Sequence, residues 1–391
     1  MATSMRLNVL WSALILEAAA AFFIQRPWMT PDSRLYLELA QNLSEAGFVA
    51  DGLPNPLRVP GYPWFLNVLI VRLGFSLPSV IAAQMALYLA SVWIIAYRVV
   101  PPDNRLIFLL LTVFYPFPLF YSATLMSEAL AIFCVALIVG LLCHAKSVVS
   151  YVLAGAMVGL GALLRTDLLP VIVAVVGVAW YRRQFAGAAL SALAAFLVLL
   201  PYMIWNHYTF QRFTPVPVAS TIGQSLYLAS WESSLELEDL VYLSGGQLTE
   251  RAEQSGFASE VRRLRPGGSE AVMKAAVERM KESPLDTALH SLNGTWRLLN
   301  TGHYPRFNWV LQIFSHMIWL LGLLGIFLAV IRQHFLVPLS VFLAVLIPHL
   351  PLHTEARYTA SIRLILLLYA AIATPHVLAW LAQSFRPKKS A

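Results

Sequence analysis

Asp32 and Arg58 lie in one polar loop that follows the first long apolar segment of the chain. A carboxylate such as Asp32 can act as a general base that takes the proton of an attacking hydroxyl. A guanidinium such as Arg58 can bind a phosphate through paired hydrogen bonds. The alternative for Asp32 is a purely structural role, because a negative charge is favourable at the N-terminus of a helix.

Glu128 is the second candidate acid. It stands at the start of an apolar segment, between Ser127 and Ala129. A charge in such surroundings is costly, and it usually faces a cavity or an opposite charge. A second acid that faces Asp32 could orient an acceptor hydroxyl or raise the pKa of its neighbour. A glutamate at the membrane interface that reaches water is the alternative.

Arg165 and Arg357 join Arg58 as candidates for binding a phosphate. A phosphate leaving group develops negative charge, and cations stabilise that charge best where the local dielectric constant is low. Arg165 could instead extend from the end of an apolar helix to the membrane surface. Arg357 could instead form a local ion pair with Glu355, two residues before it.

His349 and His353 have the four-residue spacing of a helical metal site, and Glu355 is close in sequence. Pro348 and Pro351 interrupt a regular helix there, so we predict no metal site. The sequence also shows no Ser/His/Asp triad, no P-loop and no glycine-rich dinucleotide fingerprint in a strand–helix setting. We therefore expect no cofactor and no site for a soluble sugar nucleotide.

These residues belong to a chain whose composition is typical of a membrane protein. Of its 391 residues, 59% are hydrophobic and 12% are charged, whereas soluble domains have roughly 45–50% apolar and about 25% charged residues. The formal net charge of +7 does not indicate nucleic-acid binding, since the basic residues lie mostly at the ends of apolar segments or in one long loop. The composition predicts an all-α polytopic membrane protein.

Apolar runs near the length that crosses a bilayer recur along the chain. We predict about ten transmembrane helices in one membrane domain, 1–391. They are placed at 7–25, 78–99, 105–121, 127–143, 149–164, 167–181, 186–204, 308–331, 335–350 and 361–383.

The short basic loops all fall on one side if these spans alternate, and the positive-inside rule makes that side cytoplasmic. Both termini are then cytoplasmic, and Asp32, Arg58, Glu128, Arg165 and Arg357 face outward. The loops that carry this prediction contain Arg98 with Arg105, Lys146, Arg182 with Arg183, Arg332 and the basic tail Arg386-Pro387-Lys388-Lys389.

Two long connections, 26–77 and 205–307, lie on the outer side in this arrangement. In the first, Thr30 and the proline after it fit a helix start, and apolar residues recur at helical spacing. We predict an amphipathic interfacial helix there, and the apolar stretch 61–74 is either a second interfacial helix or a dip into the membrane. The second connection holds most of the charge, and we predict a helix at 270–281.

Several short motifs, taken in order, resemble one family of membrane enzymes. Pro31-Asp32-Ser33, and Arg58 with Pro60-Gly61-Tyr62-Pro63, resemble the first loop of bacterial GT-C glycosyltransferases. These are the enzymes related to protein O-mannosyltransferases (glycosyltransferase family 39) and to the lipid A aminoarabinose transferase. Later matches are Ser127-Glu128, Leu164-Arg165 and Glu355-Ala356-Arg357-Tyr358. One departure is Thr166-Asp167 after Arg165, where relatives often have proline.

The resemblance implies a GT-C-like fold and an inverting transfer of sugar from a polyprenyl-phosphate donor to an acceptor hydroxyl. It would act at the periplasmic face of the inner membrane. The implied catalytic residue is Asp32, and we place Glu128 beside it in the catalytic site. The residues implied to bind the donor are Arg58, Tyr62, Arg165, Glu355, Arg357 and Tyr358.

The expected partners are the lipid-linked donor, membrane lipids and an acceptor that is a glycan, a lipid or a protein; nucleic acid is not expected. A transporter or flippase for a lipid-linked sugar is the alternative function. A transporter typically places ionisable groups near the middle of the membrane. The candidate residues cluster instead on the predicted outer side, which favours chemistry at that surface.

Overall fold

The structure, a computed structural model, describes residues 2–26, 28–218, 221–232, 250, 254, 256–264, 268–299, 308–331, 335–352 and 356–384. Regular structure in these ranges is helical except for one antiparallel hairpin, β1 (Val49–Ala50) with β2 (Leu53–Pro54).

The helices in the first part of the chain build most of the bundle. They are α1 (Ala2–Ile24), α2 (Pro31–Asn42), α3 (Gly61–Leu66), α4 (Leu77–Ile94), α5 (Arg105–Phe114), α6 (Phe117–Ser122), α7 (Glu128–Cys143), α8 (Val148–Leu164), α9 (Val171–Tyr181) and α10 (Phe185–Phe210).

The other helices of the described residues lie within the connection 205–307 or follow it. They are α11 (Thr221–Glu232), α12 (Phe257–Leu264), α13 (Gly268–Glu282), α14 (Pro284–Leu299), α15 (Asn308–Ile331), α16 (Leu336–Leu346) and α17 (Arg363–Ser384). A 3₁₀ segment, Ala356–Ile362, leads directly into α17.

Among the described residues, five helical segments are long and apolar enough to cross a membrane, and four shorter apolar helices accompany them. The chain is therefore a multi-pass helical membrane protein; the number of about ten crossings stays a prediction. The five long segments are Met5–Ile24, Leu77–Val99, Phe185–Phe210, Ile313–Ile331 and Arg357–Ser384.

The structure corrects the predicted continuous span at 105–121. Helix α5 ends at Phe114 and α6 begins at Phe117, with Tyr115 and Pro116 between them. Proline disfavours helical backbone in the residue before it and cannot donate an N–H bond, so the helix is broken there. The break leaves α6 as a short helix that leads into the turn before α7.

Close contacts between helices depend on residues without bulky side chains. Helix α8 packs along α10 so tightly that a β-carbon at Gly155 would overlap the backbone carbonyl of Ser191. Likewise, a β-carbon at Gly325 in α15 would overlap the carbonyl of Tyr369 in α17. Small residues allow such approach of helix backbones in membrane proteins, where packing replaces the hydrophobic drive.

In the connection 26–77, α2 begins at Pro31 behind the N-cap Thr30. The apolar face of α2 is covered by protein, because Tyr36, Leu39 and Ala40 are buried. The helix is thus packed against the bundle along this face and does not present it to lipid.

In the second connection, the helix predicted at 270–281 corresponds to α13. It packs on α11 through a small cluster formed by Tyr227, Val272 and Ala276.

We expect Gly155→Ala to lower the melting temperature of the detergent-purified protein. The added methyl group meets backbone, which cannot move away cheaply, and overpacking of this kind costs about 1–3 kcal/mol. The matched control is Gly177→Ala, because nothing lies within 4 Å of a β-carbon there. Equal melting temperatures for the two variants would contradict the tight α8–α10 contact.

Candidate active site

Two hydrogen bonds hold the start of α2 against the turn that precedes α7. The backbone carbonyl of Trp28 accepts a hydrogen bond of 2.8 Å from Leu125 N–H. Ser33 Oγ, which is buried, donates to the carbonyl of the same Leu125 at 2.9 Å. Because Asp32 lies between these anchors and Glu128 follows the turn, the two acids are brought to one end of the bundle.

Asp32 is held between two arginines from distant parts of the chain. Its Oδ1 lies 2.5 Å from Arg58 Nη2, and its Oδ2 lies 3.0 Å from Arg357 Nη1. The exposed fraction of the side chain is 22% for Asp32, 31% for Arg58 and 25% for Arg357. The three groups therefore form an ion-paired cluster that a ligand can still reach.

Arg58 reaches this position because its loop lies close against α8 and α10. A β-carbon at Gly61 would overlap the carbonyl of Leu163, so only glycine allows this approach to the end of α8. The Tyr202 hydroxyl of α10 donates to the backbone carbonyl of Arg58 at 3.3 Å. Both contacts also bring the Arg58 loop near Arg165, which follows α8 directly.

A second cluster of charges surrounds Arg165. Its Nη1 lies 2.9 Å from Glu128 Oε1, and its Nη2 lies 2.8 Å from Asp167 Oδ2. His349 Nε2 is 3.4 Å from Asp167 Oδ2. Glu128 and His349 are buried, and Arg165 and Asp167 are largely shielded. Two carboxylates thus engage one guanidinium in surroundings that contain little water.

Aromatic rings connect the two clusters. The Tyr358 ring lies 5.5 Å from the guanidinium carbon of Arg357 and 6.0 Å from that of Arg165, and it stacks on His349. On the other side, the Arg58 guanidinium lies 5.5 Å from the Tyr36 ring centre. Burial raises the pKa of Tyr36, so its hydroxyl stays protonated. The two clusters therefore line one site.

An apolar cavity of about 880 Å³ adjoins the charged groups. Pro60 and Gly61 line it on the side of Arg58, and Leu164 lines it next to Arg165. Aromatic and aliphatic side chains make up much of the rest of its wall. Among them are Phe48, Trp64, Phe133, Leu137, Met157 and Val198.

Most of the residues predicted from the sequence meet in this site. The structure brings together Asp32, Glu128, Arg58, Arg165, Arg357 and Tyr358.

One predicted donor-binding residue, Tyr62, stands apart from this group, and another lies outside the described residues. Tyr62 is fully buried beneath Tyr36 and donates to Gln84 Oε1 at 2.7 Å, so it supports the site from behind. Glu355 lies outside the described residues, as does His353.

Three residues of the site were not predicted as members: Tyr36, Asp167 and His349. Asp167 was visible in the sequence only as a departure from the family motif after Arg165, and that acid is what pairs with Arg165. His349 was considered only as a metal ligand. In the described part of the chain, no three His, Cys, Asp or Glu residues are grouped so as to hold a metal ion.

Neither a family model nor a curated protein matches the chain. Among solved structures, the chain is similar to the crystal structure of ArnT from Cupriavidus metallidurans bound to undecaprenyl phosphate, with 14% sequence identity and a TM-score of 0.41. The comparison covers 96% of this chain and 80% of the other.

We expect Arg165→Met to destabilise the protein strongly. The change leaves Glu128 and Asp167 as neighbouring shielded carboxylates without their cation, and breaking a buried pair in this way costs about 3–5 kcal/mol. Thermal unfolding in detergent measures the loss. Combining the change with Glu128→Gln and Asp167→Asn should recover much of it.

Arg34→Met is the matched control for this experiment, since Arg34 is exposed on α2. An unchanged melting temperature for Arg165→Met would show that the Arg165 cluster does not hold the site together.

Proposed function

We propose that the protein is an inverting glycosyltransferase that moves a sugar from a polyprenyl-phosphate donor to an acceptor hydroxyl. The observation that carries the proposal is the reachable Asp32 carboxylate, held by Arg58 and Arg357 beside an apolar cavity. Transfer from a lipid-phosphate sugar donor requires a base for the acceptor proton, cations for the phosphate and an apolar surface for the lipid chain.

In the proposed reaction, Asp32 is the general base. The acceptor oxygen attacks the anomeric carbon of the sugar and gives its proton to Asp32. The bond from the anomeric carbon to the phosphate oxygen breaks, and the lipid phosphate leaves with the bonding electrons. A single displacement of this kind inverts the configuration at the anomeric carbon.

The two arginines of Asp32 link proton uptake to departure of the phosphate. A guanidinium carries five N–H donors, so Arg58 and Arg357 can bind a phosphate while they hold Asp32. When Asp32 takes up the proton, it loses its charge and its attraction for both arginines falls. Their positive charge then acts on the leaving phosphate, whose negative charge increases at the same moment.

Arg165 has a different proposed role from the other two arginines. It is already engaged by Glu128 and Asp167, and much of it is shielded. It fixes Glu128 at the start of α7, and its guanidinium lies 6.0 Å from the ring of Tyr358. Glu128 then orients the acceptor beside Asp32, which is the role that we assign to it.

The apolar cavity is the proposed seat of the lipid part of the donor. Its wall begins at Pro60 and Gly61, two and three residues after Arg58. A phosphate held at Arg58 would therefore have its polyprenyl chain beside an apolar surface. The acceptor is a glycan, a lipid or a protein.

The site is proposed to face the periplasm, with both termini cytoplasmic. The basis for this orientation is the set of basic loops at the other end of the helices. Among them, Arg182 ends the helix that begins near Asp167.

We expect Asp32→Asn to lower sugar transfer by about 10²- to 10⁴-fold, because asparagine cannot accept the proton. The assay incubates purified protein with radiolabelled polyprenyl-phosphate sugars and candidate acceptors. Glu45→Gln is the matched control, since Glu45 is an exposed acid in the same connection. Near-normal turnover by correctly folded Asp32→Asn would restrict Asp32 to a structural role.

We expect Arg357→Gln to reduce kcat/KM for the donor by about 10- to 100-fold, while the KM for the acceptor stays the same. The reason is the loss of a charge-assisted hydrogen bond to phosphate, worth about 1.5–3 kcal/mol. Arg34→Gln serves as the control for removal of one positive charge. Donor kinetics like those of the wild type would remove Arg357 from the donor site.

A further inference from the structure

A second cavity, of about 910 Å³, lies between α9 and α16. One end of it is lined by Pro170 and Pro348, near Asp167 and His349, and the other end is lined by Arg182. We call this cavity the α9–α16 groove. It is separate from the cavity beside Arg58, with which it shares no lining residue.

The walls of the α9–α16 groove are apolar and accessible from outside the bundle. Val173 keeps 71% of its accessible area and Ile347 keeps 55%. Halfway along α9, Gly177 leaves open space where a side chain would project. In a membrane, the apolar wall of this groove is compatible with lipid chains, and the groove opens toward the lipid.

Among the described residues that line the groove, the arginines lie at one end. Arg98 and Arg182 line this end together with His144, which follows α7 directly. Arg182 Nη1 donates to the carbonyl of Leu142 at 2.6 Å. His144 Nε2 donates to the backbone carbonyl of Arg98. A guanidinium pair above an apolar groove is complementary to an anionic head group with a hydrocarbon tail.

The length of the groove fits one leaflet of a bilayer. From Pro170 to Arg182 the chain rises by about 18 Å if it is helical throughout. Half of the hydrocarbon core of a bilayer is roughly 15 Å thick. An acyl chain of a phospholipid could therefore extend along the groove while its phosphate stays level with the arginines.

We propose that the α9–α16 groove binds one anionic glycerophospholipid. Its phosphate contacts Arg98 and Arg182, and one acyl chain lies along α9 and α16 past Gly177. The lipid comes from the leaflet on the Arg182 side, which is the opposite end of the helices from Asp32. This site goes beyond the proposed glycosyl transfer and does not depend on it.

Native mass spectrometry of the purified full chain tests this site. The protein is titrated with phosphatidylglycerol and, separately, with phosphatidylcholine of the same acyl chains. We expect the wild type to retain one phosphatidylglycerol with at least about tenfold preference over phosphatidylcholine. Arg98→Gln/Arg182→Gln should lose this retained lipid, whereas Arg183→Gln should keep it, because Arg183 is an exposed neighbour that does not line the groove.

Gly177→Leu is the second variant, because it fills the groove and leaves every charge in place. It should also lose the retained lipid, and it keeps the test decisive if loss of the Arg182–Leu142 bond impairs folding. The proposal is overturned if the wild type holds both lipids equally. It is also overturned if the preference for phosphatidylglycerol survives in Gly177→Leu and in Arg98→Gln.

Discussion

Charge pairing at the end of apolar helices is the constraint on which the site depends. Ionised groups beside a membrane are costly unless each meets an opposite charge. Among the described residues of the site, the carboxylates of Asp32, Glu128 and Asp167 each contact at least one guanidinium. The pairs are Asp32 with Arg58 and Arg357, and Arg165 with Glu128 and Asp167.

The two clusters differ in a way that suits different tasks. The Arg165 cluster is largely shielded, and its ion pairs join the end of α8 to the start of α7. The Asp32 cluster is more open, and its carboxylate is shared between two cations. In the proposed reaction, a proton taken up by Asp32 changes the balance of charge there, and the same arginines then stabilise the departing phosphate.

The sequence predicted Asp32 and Arg58 from the polar loop that follows the first apolar segment, and Glu128 and Arg165 from charges at the ends of apolar segments. It did not predict Tyr36, Asp167 or His349 as members of the site, since their positions depend on how α2, α9 and α16 meet. The break before α6 had a local signal in Pro116, but the apolar residues on both sides obscured it. Tyr62 was assigned to the donor, and packing beneath Tyr36 gives it a supporting position instead.

The most direct test is an experimental structure of the protein with a polyprenyl phosphate bound. The account predicts that the phosphate lies within hydrogen-bonding distance of both Arg58 and Arg357, with the lipid chain in the cavity lined by Trp64 and Phe133. A phosphate bound away from these arginines, with Asp32 still closed between them, would contradict it.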